Sequence, residues 1–259
     1  MGLVAIIGGT GLSQIDGFEI TGARSVDTPY GDPSHNFEIG RYGGRAFIFL
    51  ARHGNPGHIP PHMINYRANL WALKHLDVEK IVAVNAVGGI RADLKVEEVV
   101  ICDQIIDYTY GRDQTFFEDR IQHVDFTFPY DPVLCRQLAD AAGELKGKMN
   151  EFNYSESGVY ACTEGPRLET AAEIRRLRRD GCDVVGMTGM PEAVLAAELG
   201  IQYAGLSLVI NKAAGLDNQP INLDELYSVL DKGMGKVREL LKIALKILGQ
   251  ESPEPSSSS

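Results

Sequence analysis

Short apolar runs rich in β-forming residues recur along this chain, and several empty into glycine or other small residues instead of continuing as apolar sequence. They stand at residues 4–7, 46–50, 81–84, 99–102 and 203–210. Each is strand-sized, and the stretches between them carry the 3.6-residue apolar period of helices at 64–75, 132–145, 167–180, 191–199 and 223–248. Strands interleaved with helices in this way predict an α/β fold: a single domain whose mixed, twisted β-sheet is flanked by helices on both faces. At 259 residues, 44% of them hydrophobic, the chain can bury a core of that size.

The helix ends are punctuated. Pro191 suits a first helical turn, Gly181 and Gly200 follow helix ends, and Asn222 with Glu225 resembles a capping box. The last pattern repeats apolar residues from Leu223 and Leu226 through Leu240 and Leu248, the stripe of a core-facing helix. Ser252-Pro253-Glu254-Pro255 and the four serines after it have nothing to bury, so residues 1–249 are expected to form the domain and 250–259 a disordered tail.

Composition narrows the partners. A net charge of −10 without a basic stripe speaks against nucleic acid, whose phosphate backbone demands one. No apolar run is long enough to span a bilayer, and the first residues run into a strand and a glycine turn instead of a basic leader, so neither membrane insertion nor secretion is expected. Cys102, Cys135, Cys162 and Cys182 form no Cys-x-x-Cys pair, and His53, His58 and His62 lack a metal-ligand spacing. No metal and no disulfide is expected, and a reducing cytoplasm fits best.

The residues that can carry chemistry cluster where the apolar runs end. Ser207-Leu208-Val209-Ile210-Asn211-Lys212 puts one amide at the end of a buried run. Asn211 has both a donor and an acceptor, which suits the 6-oxo and N7 edge of hypoxanthine or guanine; it can equally cap or turn the chain. Ile6-Ile7-Gly8-Gly9-Thr10-Gly11-Leu12 lets successive backbone N–H groups converge on an anion, with the Thr10 hydroxyl adding a donor, and reads equally as a tight structural turn. A dinucleotide fingerprint fails at Gln14, and no Gly-Lys-Ser/Thr follows for a P-loop.

Leu50-Ala51-Arg52-His53-Gly54 sets a guanidinium able to fork two phosphate oxygens beside an imidazole able to donate one more bond; the alternative is a solvated surface turn. Val84-Asn85-Ala86-Val87-Gly88-Gly89 reads as a strand entering a turn of small residues. Gly165-Pro166-Arg167-Leu168-Glu169-Thr170 reads as a proline-started helix whose first turn carries Glu169. That carboxylate is either a helix-start charge or an acceptor for the N1–H of a 6-oxopurine. Val185-Gly186-Met187-Thr188 offers a thioether and a hydroxyl at one more strand end.

Taken in order, these segments resemble the trimeric purine nucleoside phosphorylase and methylthioadenosine phosphorylase family over residues 3–212. The glycine-rich opening, Asp27-Thr28-Pro29-Tyr30-Gly31, Leu50-Ala51-Arg52-His53-Gly54 and Asn65-Tyr66-Arg67-Ala68-Asn69-Leu70-Trp71 look like the methylthioadenosine branch. Glu169, Asn85-Ala86 and Asn211-Lys212 look instead like the 6-oxopurine phosphorylases, since the methylthioadenosine branch typically has serine and aspartate at the positions of Glu169 and Asn211. The combination is similar to bacterial enzymes that cleave 5′-methylthioinosine.

The resemblance implies phosphorolysis of a 6-oxopurine nucleoside, with inorganic phosphate as co-substrate and no cofactor. It implies that Thr10, Arg52, His53, Ala86 and Thr188 hold phosphate, that Met187 lies against the ribose, and that Glu169 and Asn211 meet the base. His53, Glu169 and Asn211 would be the catalytic set. His123 would reach the 5′ end of a neighbouring subunit's site in a homotrimer. Ordinary nucleoside phosphorylases have a later histidine for the 5′-hydroxyl, whereas this chain has none after His123; Leu223 and Leu226 would offer an apolar wall suited to a methylthio group. Methylthioadenosine phosphorylase, inosine or guanosine phosphorylase, a hydrolytic nucleosidase and a non-catalytic nucleoside or dinucleotide binder remain the alternatives.

Overall fold

A computed structural model describes residues 2–9, 12, 17–217 and 219–249. Thr10, Gly11, Gln14 and the tail at 250–259 lie outside the described residues. Among the described residues, eleven strands form one mixed sheet. Its centre is parallel: β1 (Leu3–Gly8) lies between β4 (Arg45–Ala51) and β5 (Val78–Gly89), and β5 pairs on its other side with β11 (Gln202–Lys212). These central strands read as near-continuous apolar runs because both faces of the sheet are covered. Antiparallel pairings extend the sheet through β2 (Glu19–Arg24) and β3 (Phe37–Tyr42), through β6 (Val99–Cys102), and at the top of β5 through β10 (Val184–Gly186). The strands β7 (Gln104–Asp107), β8 (Tyr154–Ser155) and β9 (Val159–Cys162) complete it.

Helices cover both faces. On one, α2 (Pro132–Lys148) and α5 (Leu223–Leu248) bury Leu134, Leu138, Val237 and Leu240 against Ile6, Val82 and Leu206. On the other, α1 (Tyr66–His75) and α4 (Glu192–Glu198) bury Leu70, Leu73 and Leu195 against Ile7, Ile81 and Tyr203. A smaller cluster under α3 (Ala171–Arg179) joins Ile174 and Leu177 to Ala161 and Val185. No helix among the described residues is long and apolar enough to cross a membrane.

Three departures from the sequence-based expectations matter for the site. First, β5 does not end at residue 84 but runs to Gly89, because β11 on one side and β10 on the other keep Asn85 to Gly89 extended. Second, α3 starts at Ala171, not 167. Thr170 caps it in a capping box with Glu173, so Glu169 precedes the cap and is not a first-turn charge. Third, Asn222 caps α5 by accepting the N–H of Asp224. The four cysteines are free thiols, three of them buried and Cys135 half-buried.

Candidate active site

The parallel strands β1, β4, β5 and β11 deliver their carboxyl ends to one cavity of about 710 Å³. Open α/β sheets place ligands in such crevices. Gly9 follows β1, Arg52 and His53 follow β4, Ala86 and Gly88 come from β5, and Asn211 comes from β11. Ala86 is exposed in the middle of an otherwise buried stretch of β5, which shows how deeply the cavity reaches into the sheet.

A bulge aims Asn211. Val209 pairs with Val87 and Asn211 with Gly88, so Ile210 is an extra residue in β11. Successive strand residues ordinarily face opposite sides, yet here both Ile210 and Asn211 line the cavity, the kind of re-aiming a bulge permits. One amide hydrogen of Asn211 goes to the Lys212 carbonyl at 2.7 Å, leaving the second hydrogen and Oδ1 for a ligand. The Lys212 ammonium turns away and bonds the Leu94 carbonyl.

Arg52 is 2% exposed and grips Glu192 through Nε (2.7 Å) and Nη2 (2.8 Å), while Nη1 donates to the Val84 carbonyl at 3.0 Å. The fork expected for phosphate is therefore occupied by a buried carboxylate on the first residue of α4, which also accepts the Tyr203 hydroxyl at 2.9 Å. One N–H on each Nη is left over, an end-on pair in the cavity wall. Burial works against the charge on Arg52 but is outweighed by Glu192, so the guanidinium pKa is held above its ordinary value. The pair is close to neutral as a unit.

His53 Nδ1 lies 2.8 Å from the Ile59 carbonyl, which can only accept, so Nδ1 carries the proton. Burial lowers the imidazole pKa, and the Arg52 charge adds to this while the bond to Ile59 offsets part of it. With Nδ1 committed to Ile59, Nε2 accepts when the ring is neutral and donates when it is protonated. The Thr188 hydroxyl donates to Asn85 Oδ1 at 2.9 Å. For Thr188 to donate to an anion, Asn85 must present its Nδ2 side and release that hydroxyl proton.

Glu169 also lines the cavity, with Oε1 held by the Thr163 hydroxyl at 2.6 Å and Oε2 free of that bond. Met187 lines the cavity too. Gly165 has φ +67°, a conformation that favours glycine, and a Cβ there would push on the Met187 side chain. Leu223, Leu226, Tyr227, Leu230 and Met234 of α5 supply an apolar wall. His123 is exposed in the irregular stretch between β7 and α2 and does not line this cavity.

Sequence reasoning thus named Arg52, His53, Ala86, Glu169, Met187, Thr188, Asn211, Leu223 and Leu226, and the fold brings all nine together. It missed Glu192, Tyr203, Thr163 and Arg112. The local signal at Glu192 is only an acid following Pro191, and Arg112 belongs to no motif. Arg112 packs behind the cavity, pairing with Glu164 at 3.0 Å and donating to the carbonyls of Met187 and Met190.

Comparison with known proteins shows the family. A family model described as "Phosphorylase superfamily" matches residues 3–246. A Pseudomonas syringae pv. tomato protein named "Probable S-methyl-5'-thioinosine phosphorylase" is 51% identical over 244 residues, 93% of this chain and 97% of its own. A Pyrococcus furiosus "6-oxopurine nucleoside phosphorylase" is 42% identical over 256 residues, 96% of this chain and 94% of its own. Among solved structures, a Schistosoma mansoni methylthioadenosine phosphorylase in complex with adenine superposes with TM-score 0.90 at 32% identity, covering 97% of this chain and 93% of that one.

Proposed function

The chain belongs to the phosphorylase superfamily, and from that membership we propose that it cleaves S-methyl-5′-thioinosine with inorganic phosphate, giving hypoxanthine and 5-methylthioribose 1-phosphate. The chemistry is phosphorolysis of a 6-oxopurine nucleoside, as the names of its relatives support. One observation carries the base assignment: Asn211 and Glu169 line the same cavity as Arg52 and His53. The free amide hydrogen of Asn211 can donate to O6 and the free Glu169 oxygen can accept the N1–H, whereas adenine has an acceptor at N1 that Glu169 does not complement.

In this reading a phosphate oxygen attacks C1′ as the C1′–N9 bond breaks, the bonding pair leaves with the purine, and the ribose passes through an oxocarbenium-like state. No enzyme nucleophile and no cofactor is needed. The free hydrogens of Arg52, the Thr188 hydroxyl, the Ala86 region and Thr10 hold the phosphate, and His53 Nε2 accepts the hydrogen bond of its remaining P–OH. Asn211 stabilises the charge that grows on the departing base, and Met187 lies against the ribose. The α5 wall, which contains no histidine, takes the methylthio group.

The assembly is a homotrimer in the cytoplasm in this proposal. His123 completes a neighbouring site, consistent with its exposure beside the exposed apolar residues Ile121 and Phe128. The test is to incubate the protein with S-methyl-5′-thioinosine with and without phosphate. Hypoxanthine and a sugar 1-phosphate should form only when phosphate is present; equal release without it identifies a hydrolase, and ligand binding without release identifies a binder.

A further inference from the structure

Arg112 sits in an irregular stretch, yet its side chain is only 3% exposed. Its surroundings are fastened from two helices. Arg67 of α1 pairs with Asp113 and Glu118, each at 2.6 Å, and Glu198 of α4 accepts from the Thr115 hydroxyl at 2.6 Å and the Phe116 N–H at 2.8 Å. The guanidinium then ties together two segments that leave the paired strands β9 and β10 and are already joined by the Thr163 N–H to the Gly186 carbonyl at 2.8 Å. Toward the strand end after β9 it donates to the Glu164 side chain at 3.0 Å and the Glu164 carbonyl at 2.8 Å. Toward the loop before α4 it donates to the carbonyls of Met187 at 2.9 Å and Met190 at 2.6 Å. Its charge also lies 5.7 Å from the centre of the Tyr66 ring.

Those segments carry different parts of the site. The first includes Thr163, which holds Glu169, and the second includes Met187 and Thr188 and leads into Glu192, which holds Arg52. We propose that Arg112, which does not itself line the cavity, is a positioning residue that sets the separation between the base-reading half and the phosphate-holding half. The inference rests on the nucleoside phosphorylase reading. A lysine cannot replace it, because one ammonium cannot serve carbonyls on two segments in a planar fork.

The consequence is specific. Each half keeps its own internal bonds without Arg112, namely Thr163 to Glu169, Thr188 to Asn85 and Arg52 to Glu192. Binding of phosphate alone and of base alone should therefore persist, while the alignment of phosphate with C1′ is lost. A misplacement on the order of 1 Å can cost about 100-fold in rate.

The experiment compares wild type with Arg112→Met, Arg112→Lys and Arg112→Ala. It measures kcat on S-methyl-5′-thioinosine with phosphate, and calorimetric binding of inorganic phosphate alone and of hypoxanthine alone. We expect kcat to fall about 100-fold in all three variants with both affinities close to wild type, and added guanidinium ion to restore part of the rate in Arg112→Ala. Wild-type rate in Arg112→Met, or loss of both affinities together with the rate, overturns the positioning role. If wild type releases no base from methylthioinosine, methylthioadenosine or inosine, the functional reading fails and takes this inference with it.

Discussion

Replacing Glu192 by glutamine tests how the Arg52 end of the site is held. The carboxylate takes two charge-assisted bonds from Arg52, at 2.7 and 2.8 Å, and one from Tyr203 at 2.9 Å, with neither ionic partner more than 2% exposed. Glutamine keeps one oxygen, enough for Nη2 and the tyrosine hydroxyl, but turns its NH₂ toward the Arg52 Nε–H, donor against donor. One charge-assisted bond, about 1.5–3 kcal/mol, disappears and a buried guanidinium loses its counter-charge. Breaking a buried pair from one side costs about 3–5 kcal/mol in total. For a chain of this size that corresponds to a fall of about 6–10 °C in Tm. The assay is a thermal scan followed by near-ultraviolet circular dichroism at neutral pH, with and without saturating phosphate. Because a phosphate dianion supplies the missing counter-charge, it should raise the Tm of Glu192→Gln more than that of wild type. A variant melting within about 2 °C of wild type refutes the reasoning, since the pair would then hold nothing that a neutral amide cannot.

Other outcomes follow from the same geometry. Asn211→Ala should lower kcat by roughly two to three orders of magnitude, the worth of one preorganised donor at a developing charge, and a loss below about tenfold in steady-state kinetics removes Asn211 from the mechanism. Asn211→Asp combined with Glu169→Ser should shift the ratio of kcat/KM toward adenine nucleosides; an unchanged ratio contradicts the base-edge argument. His53 should give stability a pH dependence. Its folded pKa lies below the ordinary imidazole value of about 6.5, so as pH falls the unfolded chain binds the proton first. Its contribution is complete above about pH 6.5 and is lost as the pH drops from there toward the folded value, so urea midpoints should decline across that window and decline less in His53→Gln.

The parts of this site that were legible in the sequence are those whose chemistry sits at the end of an apolar run. Asn211 at the end of β11 and Arg52-His53 after β4 stand where a parallel strand meets a ligand crevice, so a strand-sized pattern was enough to locate them. Partners distant in sequence carried no such mark. Glu192 is 140 residues from the arginine it grips, and Arg112 is 78 residues from the Met190 carbonyl. Only the folded sheet brings each pair together. The extension of β5 was hidden because Gly88-Gly89 reads locally as a turn, whereas pairing on both sides overrides that preference. β2 was invisible for another reason: all six of its residues are exposed, so it has no buried face to impose alternation.

The central claim is the combination of a 6-oxopurine base site with an apolar 5′ wall. Its most direct test is base release from S-methyl-5′-thioinosine, S-methyl-5′-thioadenosine and inosine offered together with phosphate, the products being separated by chromatography. The account predicts that S-methyl-5′-thioinosine is consumed first, with hypoxanthine as the main base. Preferential release of adenine would contradict it, because Glu169 and Asn211 would then not be reading N1 and the six position of the purine.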